Sequence, residues 1–308
     1  MGMSDFYGPA DEVESLRTID AALEAGITLL DTGDFYGMGH NELLVRQALQ
    51  GRRERVFLQV KFGGMRMPSG QFIGMDCRPQ AVKNFISYSL KRLNTDYIDL
   101  YQPARVDPNV PIEETAGAVA DLIKAGYVRY FGLSEAAAAT IRRAHAVHPV
   151  TALQIEYSLM SRGIEREILP AIRELGIGVT AYGVLSRGLL SGNWARSAGS
   201  DFRNHLPRYS GGNLARNMEL VESLRAVAAS HNATPAQVAT AWVHAQGADI
   251  VPLVGARRRD QLAESLGALP LRLTEEDLAR VEAAVPHESV AGDRYQAEQM
   301  AILDSERQ

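Results

Sequence analysis

Short apolar runs rich in Val, Ile and Leu alternate along this chain with longer segments of helical periodicity, and that alternation limits the fold more than any single motif. Strands are expected at Ile27–Leu30, Val56–Val60, Tyr97–Tyr101, Val128–Leu133, Leu153–Ile155, Ile177–Ala181 and Ile250–Val254. Helices are expected between them at Glu42–Leu49, from Pro79 through Val82, Ile86 and Leu90, and at Ile112–Lys124, Ala136–His145 and Glu165–Leu175. After the sixth strand comes a Gly-, Ser- and Arg-rich loop, followed by two helices, Leu214–Ser230 and Pro235–Ala245, the second capped by Thr234. Arg259–Leu266 and Glu275–Val285 complete the set, the last opened by Thr274 with Asp277 in a capping-box pattern. The stretch from Gly63 to Arg78 reads as a loop.

Continuous apolar strands, rather than alternating ones, are the pattern of parallel strands covered by helices. Seven strand–helix units, plus a helix at Glu12–Ala25 whose preceding strand is almost absent, predict an α/β fold, a (β/α)8 TIM barrel. Its first strand is expected to be truncated and its N-terminal hairpin missing. A doubly wound sheet is the alternative, but no strand is followed by the Gly-x-Gly-x-x-Gly turn that such sheets use for nucleotides. With no linker or composition break, residues 1–308 read as one barrel domain, with a cofactor loop over about 186–212 and a C-terminal helix and tail over about 274–308.

Composition removes several functions. Lys and Arg number 32 against 37 Asp and Glu, for a net charge of −5, which argues against a nucleic-acid binder. Cys77 stands alone, so no internal disulfide or cysteine-built metal site is possible, and a cytoplasmic location is expected. No apolar run reaches membrane-spanning length, and Met1-Gly2-Met3-Ser4-Asp5 has none of the features of a signal peptide.

In such barrels chemistry gathers where strands end. Lys61 directly follows an apolar strand, so its ammonium needs a partner, and Asp31 at the end of the neighbouring strand supplies one. Tyr36 lies close enough along the loop to reach over that pair, and a nearby Lys⁺ would lower its pKa and make it a proton donor. A structural ion pair beside an unrelated loop tyrosine fits the same spacing.

The segment Asp31-Thr32-Gly33-Asp34-Phe35-Tyr36-Gly37 resembles the Asp-Thr-Ala-x-x-Tyr-Gly segment of aldo-keto reductases. The likeness continues in order through Tyr97–Tyr101, Gly132–Glu135, Leu153–Ser158, Ala181–Gly192, Asp201–Arg203 with Pro207-Arg208, and Pro252–Arg257. This resemblance implies an NADP(H)-dependent reductase of aldehydes or ketones, with Asp31, Tyr36 and Lys61 as catalytic residues and Tyr36 the proton donor. It places Tyr182 against the nicotinamide, Ser134 and Gln154 on its carboxamide, and Leu185, Arg187 and Gly188 along the pyrophosphate. Arg257 falls at the adenosine 2′-phosphate, with Gln261, Glu264 and Ser265 towards the adenine ribose and Gly255 also among the cofactor-binding residues. Arg257, Arg258 and Arg259 at a helix N-terminus also favour an anion on physical grounds, and a phosphate over a hydroxyl, although a solvated basic turn fits too.

The family's fourth catalytic residue, a histidine, falls on Ala104, and Glu135 stands where many relatives carry Asn. Of the seven histidines only His205, on the long loop, is placed to intrude. The vacancy is compatible with altered substrate scope, slow turnover, or a cofactor-binding protein without turnover that senses redox state or regulates a partner. The substrate pocket is expected from Phe35, Ala104 and Arg105, with Met65 to Phe72 and Trp194 contributing. Arg66, Arg105, Arg203 and Arg208 are candidates for holding an anionic substituent. No cluster of histidines and carboxylates suggests a metal.

Overall fold

The computed structural model of the chain describes residues 1–192 and 201–307. Its strands are β1 (Leu29–Gly33), β2 (Phe57–Phe62), β3 (Gly64–Arg66), β4 (Phe72–Met75), β5 (Ile98–Pro103), β6 (Val128–Ser134), β7 (Val150–Glu156), β8 (Gly178–Tyr182) and β9 (Ile250–Pro252). Seven of them form one parallel sheet in the order β1-β2-β5-β6-β7-β8-β9. Helices α1 (Glu12–Glu24), α2 (His40–Ala48), α3 (Pro79–Leu93), α4 (Ile112–Lys124), α5 (Ala138–Val147) and α6 (Ile168–Glu174) lie before or between consecutive strands of that sheet. After β8 come α7 (Gly211–Ser230) and α8 (Pro235–Ala245), then β9, α9 (Arg259–Leu266), α10 (Glu275–Ala284) and the short α11 (Ala297–Ala301).

The sheet is curled, and side-chain hydrogen bonds show it. Gln154 on β7 donates to Asp31 on β1 (2.8 Å), and Gln59 on β2 donates to Thr180 on β8 (3.2 Å). These strands are far apart in the sheet order, so their polar side chains can meet only across a barrel interior. Leu58, Val60 and Phe62 alternate with Gln59 and Lys61 along β2, and all five are buried. Buried on both faces, the strand places apolar side chains on one side and polar ones on the other.

Strand-end polar residues extend the strands beyond their apolar runs. β1 reaches Gly33, β2 takes in Lys61 and Phe62, and β5 runs to Pro103. α4 and α9 have the expected bounds, the cap expected at Thr234 forms as a full capping box with Gln237, and the capping box expected at Thr274 forms with Asp277. Three expectations need correction. The segment Gly63–Arg78 contains the antiparallel pair β3–β4, a hairpin whose glycines and methionines hide any strand alternation. The helix expected at Glu165–Leu175 is a 3₁₀ turn at Gly163–Glu165 followed by the shorter α6. The loop from Ser186 contains 3₁₀ turns at Ser186–Ser191, Phe202–His205 and Pro207–Tyr209. Trp194 lies outside the described residues.

Before α1, residues 1–8 carry turns and no strand. They are tied down by side chains: Arg66 pairs with Asp5, Asn41 donates to Ser4 Oγ (2.9 Å), and Phe6 and Tyr7 pack edge-on against Phe202. No helix among the described residues is long and apolar enough to cross a membrane, and no group of His, Cys, Asp or Glu among them could hold a metal ion.

Candidate active site

Register brings the first strand-end residues together. Gly33 on β1 pairs with Lys61 on β2, which sets the Lys61 side chain beside Asp31 two residues earlier. The Lys61 ammonium donates to both Asp31 carboxylate oxygens at 2.6 Å, and Asp31 Oδ1 also accepts from Gln154. The Lys61 ammonium lies 4.9 Å from the centroid of the Tyr36 ring. The hydrophobic wall beside them is aromatic: Phe35 meets Tyr36 edge-on at 4.8 Å and Phe72 at 6.3 Å. A Cβ at Gly64 would come within 2.8 Å of the Phe35 ring, so β3 approaches this wall only because it has none.

Burial governs the protonation of these groups. It raises the Tyr36 phenol well above its usual value, the Asp31 charge adds to the rise, and the opposing pull of Arg105 is too weak to reverse it. The sequence-based expectation of a lowered phenol pKa is therefore overturned, because desolvation and a carboxylate outweigh nearby cations. Burial likewise lowers the Lys61 pKa, although Asp31 opposes the change. Next to this group, Asp34 is desolvated and faces Glu42, which together push its carboxyl up to about 8.

Several polar atoms around the interior have no hydrogen-bond partner among the described residues: Ser134 Oγ, both amide atoms of Gln102, Gln59 Oε1 and Tyr101 OH. Buried polar groups are normally satisfied. Ser134 and Gln154 are paired in register on β6 and β7, so an orphaned hydroxyl stands next to the amide that reaches Asp31. Ala104 is buried, with its amide bonded to Phe62 O (2.9 Å).

The opposite side of the site is crowded with charge. Glu156 accepts from Arg187 (2.9 Å) and Ser161 (2.9 Å), with the Arg208 and Arg294 guanidiniums at 3.5 and 3.6 Å. Glu135, left-handed at φ 54°, takes Arg294 through both its oxygens (2.8 and 2.5 Å), Tyr182 OH (2.7 Å), Ser305 (2.6 Å) and the Glu156 amide (3.0 Å). Burial would raise both carboxyls, but the Arg294 and Arg187 charges outweigh it and lower them. Tyr295, absent from the sequence-based expectations, enters from the C-terminal tail, with its hydroxyl 3.1 Å from Tyr182 OH and 3.2 Å from Arg105 Nη2. Burial would raise its phenol, yet Arg187 and Arg105 lower it. A tail without periodicity gave no sign that Tyr295 or Arg294 reaches the site.

Apart from Arg187, the remaining expected residues lie outside that network. Leu185 packs against the core at the start of the turn containing Arg187 and Gly188. Gly188 has φ 102°, and the Arg187 side chain is committed to Glu156. Gly255 is exposed after β9. Arg257 donates to Tyr7 O (2.8 Å), and its amide donates to Gln261 Oε1 (3.1 Å). Ser265 donates to Gln261 O, and Glu264 O accepts from Gln237. The three-arginine run is not three free cations: Arg258 pairs with Asp260, and Arg259 pairs with Glu14, which also caps the Arg259 amide.

This constellation has relatives. The sequence profile of the aldo/keto reductase family matches residues 1–286. A probable aldo-keto reductase from Glycine max is 45% identical over 302 residues, covering 96% of this chain and 86% of that protein. The chain belongs to the aldo/keto reductase family. Its fold is also that of solved reductases in the family's range. A glycerol dehydrogenase from Gluconobacter oxydans superposes with a TM-score of 0.83 at 29% identity, covering 92% of this chain and 89% of that one. An aldo-keto reductase from Bacillus halodurans, in its holo form, gives 0.76 at 30% identity over 91% and 89%. One from Klebsiella pneumoniae, in complex with NADP and acetate, gives 0.72 at 25% identity over 92% and 89%. Like them, this aldo/keto reductase carries a curled parallel sheet with helices, seven strands of it among the described residues.

Proposed function

We propose that this aldo/keto reductase is an NADP(H)-dependent enzyme that reduces an aldehyde or ketone, with Tyr36 as proton donor. The observation that carries the reading is the buried Lys61–Asp31 pair under the Tyr36 ring, at the strand ends where a carbonyl could meet it. Tyr36 keeps its proton across the neutral range because its pKa is raised, and releases it only to an oxygen made strongly basic by reduction. Asp31 fixes the Lys61 ammonium, so a positive charge is already in place beside that oxygen.

NADPH, when bound, supplies the hydride. The residues present fit it: the orphaned Ser134 hydroxyl and Gln154 would hold its carboxamide, Tyr182 would face its ring, and Arg257 its 2′-phosphate. Ala104 favours a second reading, a protein that binds NADP(H) without turnover, since no imidazole stands where the family's polarises the carbonyl.

NADPH oxidation followed by absorbance, with a panel of aldehydes, separates the two. Wild-type turnover that falls sharply in Tyr36→Phe supports the enzyme. Tight NADPH binding, with wild type and variant equally inert on every aldehyde, selects the second reading.

A further inference from the structure

Four arginines are candidates for holding an anionic group, and the structure separates them. Arg66 pairs with Asp5, Arg203 with Asp201 (2.6 Å), and Arg208 lies 3.5 Å from Glu156 and donates to Met160 O (2.6 Å). Arg105 is different: among the described residues no carboxylate lies within ion-pair distance of it. Its guanidinium donates to Ala104 O (2.6 Å) and Tyr295 OH (3.2 Å), a backbone carbonyl and a phenol rather than a carboxylate. Glu135, the carboxylate whose charge acts on it, has both oxygens occupied by Arg294, Tyr182 and Ser305.

This cation is also in the right place. It follows the end of β5, where Gln102 pairs in register with Lys61 and the Ala104 amide bonds to Phe62 O, and its charge acts on Tyr36 and Lys61, the groups proposed to receive the carbonyl. Arg105 as a residue keeps part of its surface accessible, while its charged group is largely desolvated. A desolvated guanidinium without a carboxylate partner is costly, and its fork matches the paired oxygens of a carboxylate or phosphate. The methyl group of Ala104 adds no second donor to compete for that anion.

We propose that Arg105 is a specificity-determining residue that binds an anionic substituent of the substrate, so that the preferred carbonyl compounds carry a carboxylate or a phosphate monoester. The proposal rests on the carbonyl-reductase reading of the same site. Tyr295, hydrogen-bonded to Arg105, is a positioning residue that aims the fork.

The test compares matched pairs of aldehydes: 4-oxobutanoate against its methyl ester, and glyceraldehyde 3-phosphate against glyceraldehyde. In wild type the anionic member of one pair is expected to have a kcat/KM about ten- to a hundredfold higher, the range of a charge-assisted contact, and which pair shows it identifies the anion. In Arg105→Gln the ratio should collapse to within about threefold, mainly through KM of the anion, and Arg105→Lys should restore part of it. Equal treatment of both members of both pairs by wild type, or an unchanged ratio in Arg105→Gln, overturns the proposal. Binding of butyrate and of inorganic phosphate to the NADP-loaded protein, measured by calorimetry, keeps the two readings distinguishable. Tighter binding of either anion by wild type than by Arg105→Gln upholds the anion site even without turnover, and equal binding of both sinks it.

Discussion

The two halves of the site spend their polar groups differently. On the β1–β2–β5–β6 side, the Asp31–Lys61 ion pair stands among buried atoms that have no partner among the described residues: Ser134 Oγ, the Gln102 amide and Asp34 Oδ1. On the side facing β7, β8 and the C-terminal tail, Glu135 and Glu156 are saturated by Arg187, Arg208 and Arg294, and the last two also donate to backbone or serine oxygens. Burial is similar, so hydration does not explain the difference. A saturated network cannot accept a ligand without breaking, whereas unsatisfied groups lower their energy when one arrives. The first half is thus suited to chemistry and the second to holding the tail against the barrel.

Substitutions in the two halves should therefore fail in different ways. Tyr36→Phe should lower kcat on any accepted aldehyde by about 10²- to 10⁴-fold, while the melting temperature stays near that of wild type. A comparable loss of stability would mean that Tyr36 belongs to the structural half. Glu156→Ala should act oppositely, destabilising the protein by about 3–5 kcal/mol, because three buried guanidiniums lose a shared counter-charge. Urea unfolding measures this, and a loss below about 1 kcal/mol would break the comparison.

The first half was far more legible in sequence than the second. Asp31, Tyr36 and Lys61 are close along the chain, and parallel register puts their strands side by side, so local spacing suffices to bring them together. Strand and helix order was legible for the same reason: apolar runs such as Val56–Leu58 and helical spacing such as Val82–Ile86–Leu90 are local signals. The network joins Glu135 and Glu156 to Arg294 and Glu306, more than a hundred residues on, through a tail with no periodicity. The pKa of Tyr36 was misjudged because spacing reveals a neighbouring charge but not the depth of burial. The hairpin β3–β4 escaped because Gly64, Met65 and Gly74 present no alternation.

Asp34 offers a sharper probe of the under-partnered half. Its carboxyl titrates near 8 in the folded protein but near the ordinary carboxylate value when unfolded. Below that ordinary value both states are protonated and nothing is lost. As pH rises towards about 8 the unfolded chain ionises and the folded one resists, so stability falls by about 2 kcal/mol between about pH 6 and pH 8. Asp34→Asn stays neutral and should flatten that slope. Parallel melting-temperature profiles for the two proteins would show that the fold stabilises the ionised Asp34 carboxylate after all.

The smallest effect expected lies away from both halves, at α9. Arg257 is anchored to the backbone of Tyr7 and Pro9 rather than to a carboxylate, while Arg258 and Arg259 are paired with Asp260 and Glu14. If it meets a 2′-phosphate, Arg257→Ala should weaken NADPH about tenfold and leave NADH within about twofold, since only the phosphate needs the charge. Fluorescence titration of both cofactors measures the ratio. Equal weakening would assign Arg257 to holding residues 7–9 in place, and the phosphate would need another cation. Among the three arginines of that run only Arg257 lacks a carboxylate partner, which is why the prediction falls on it and why Arg258→Ala is the matching control.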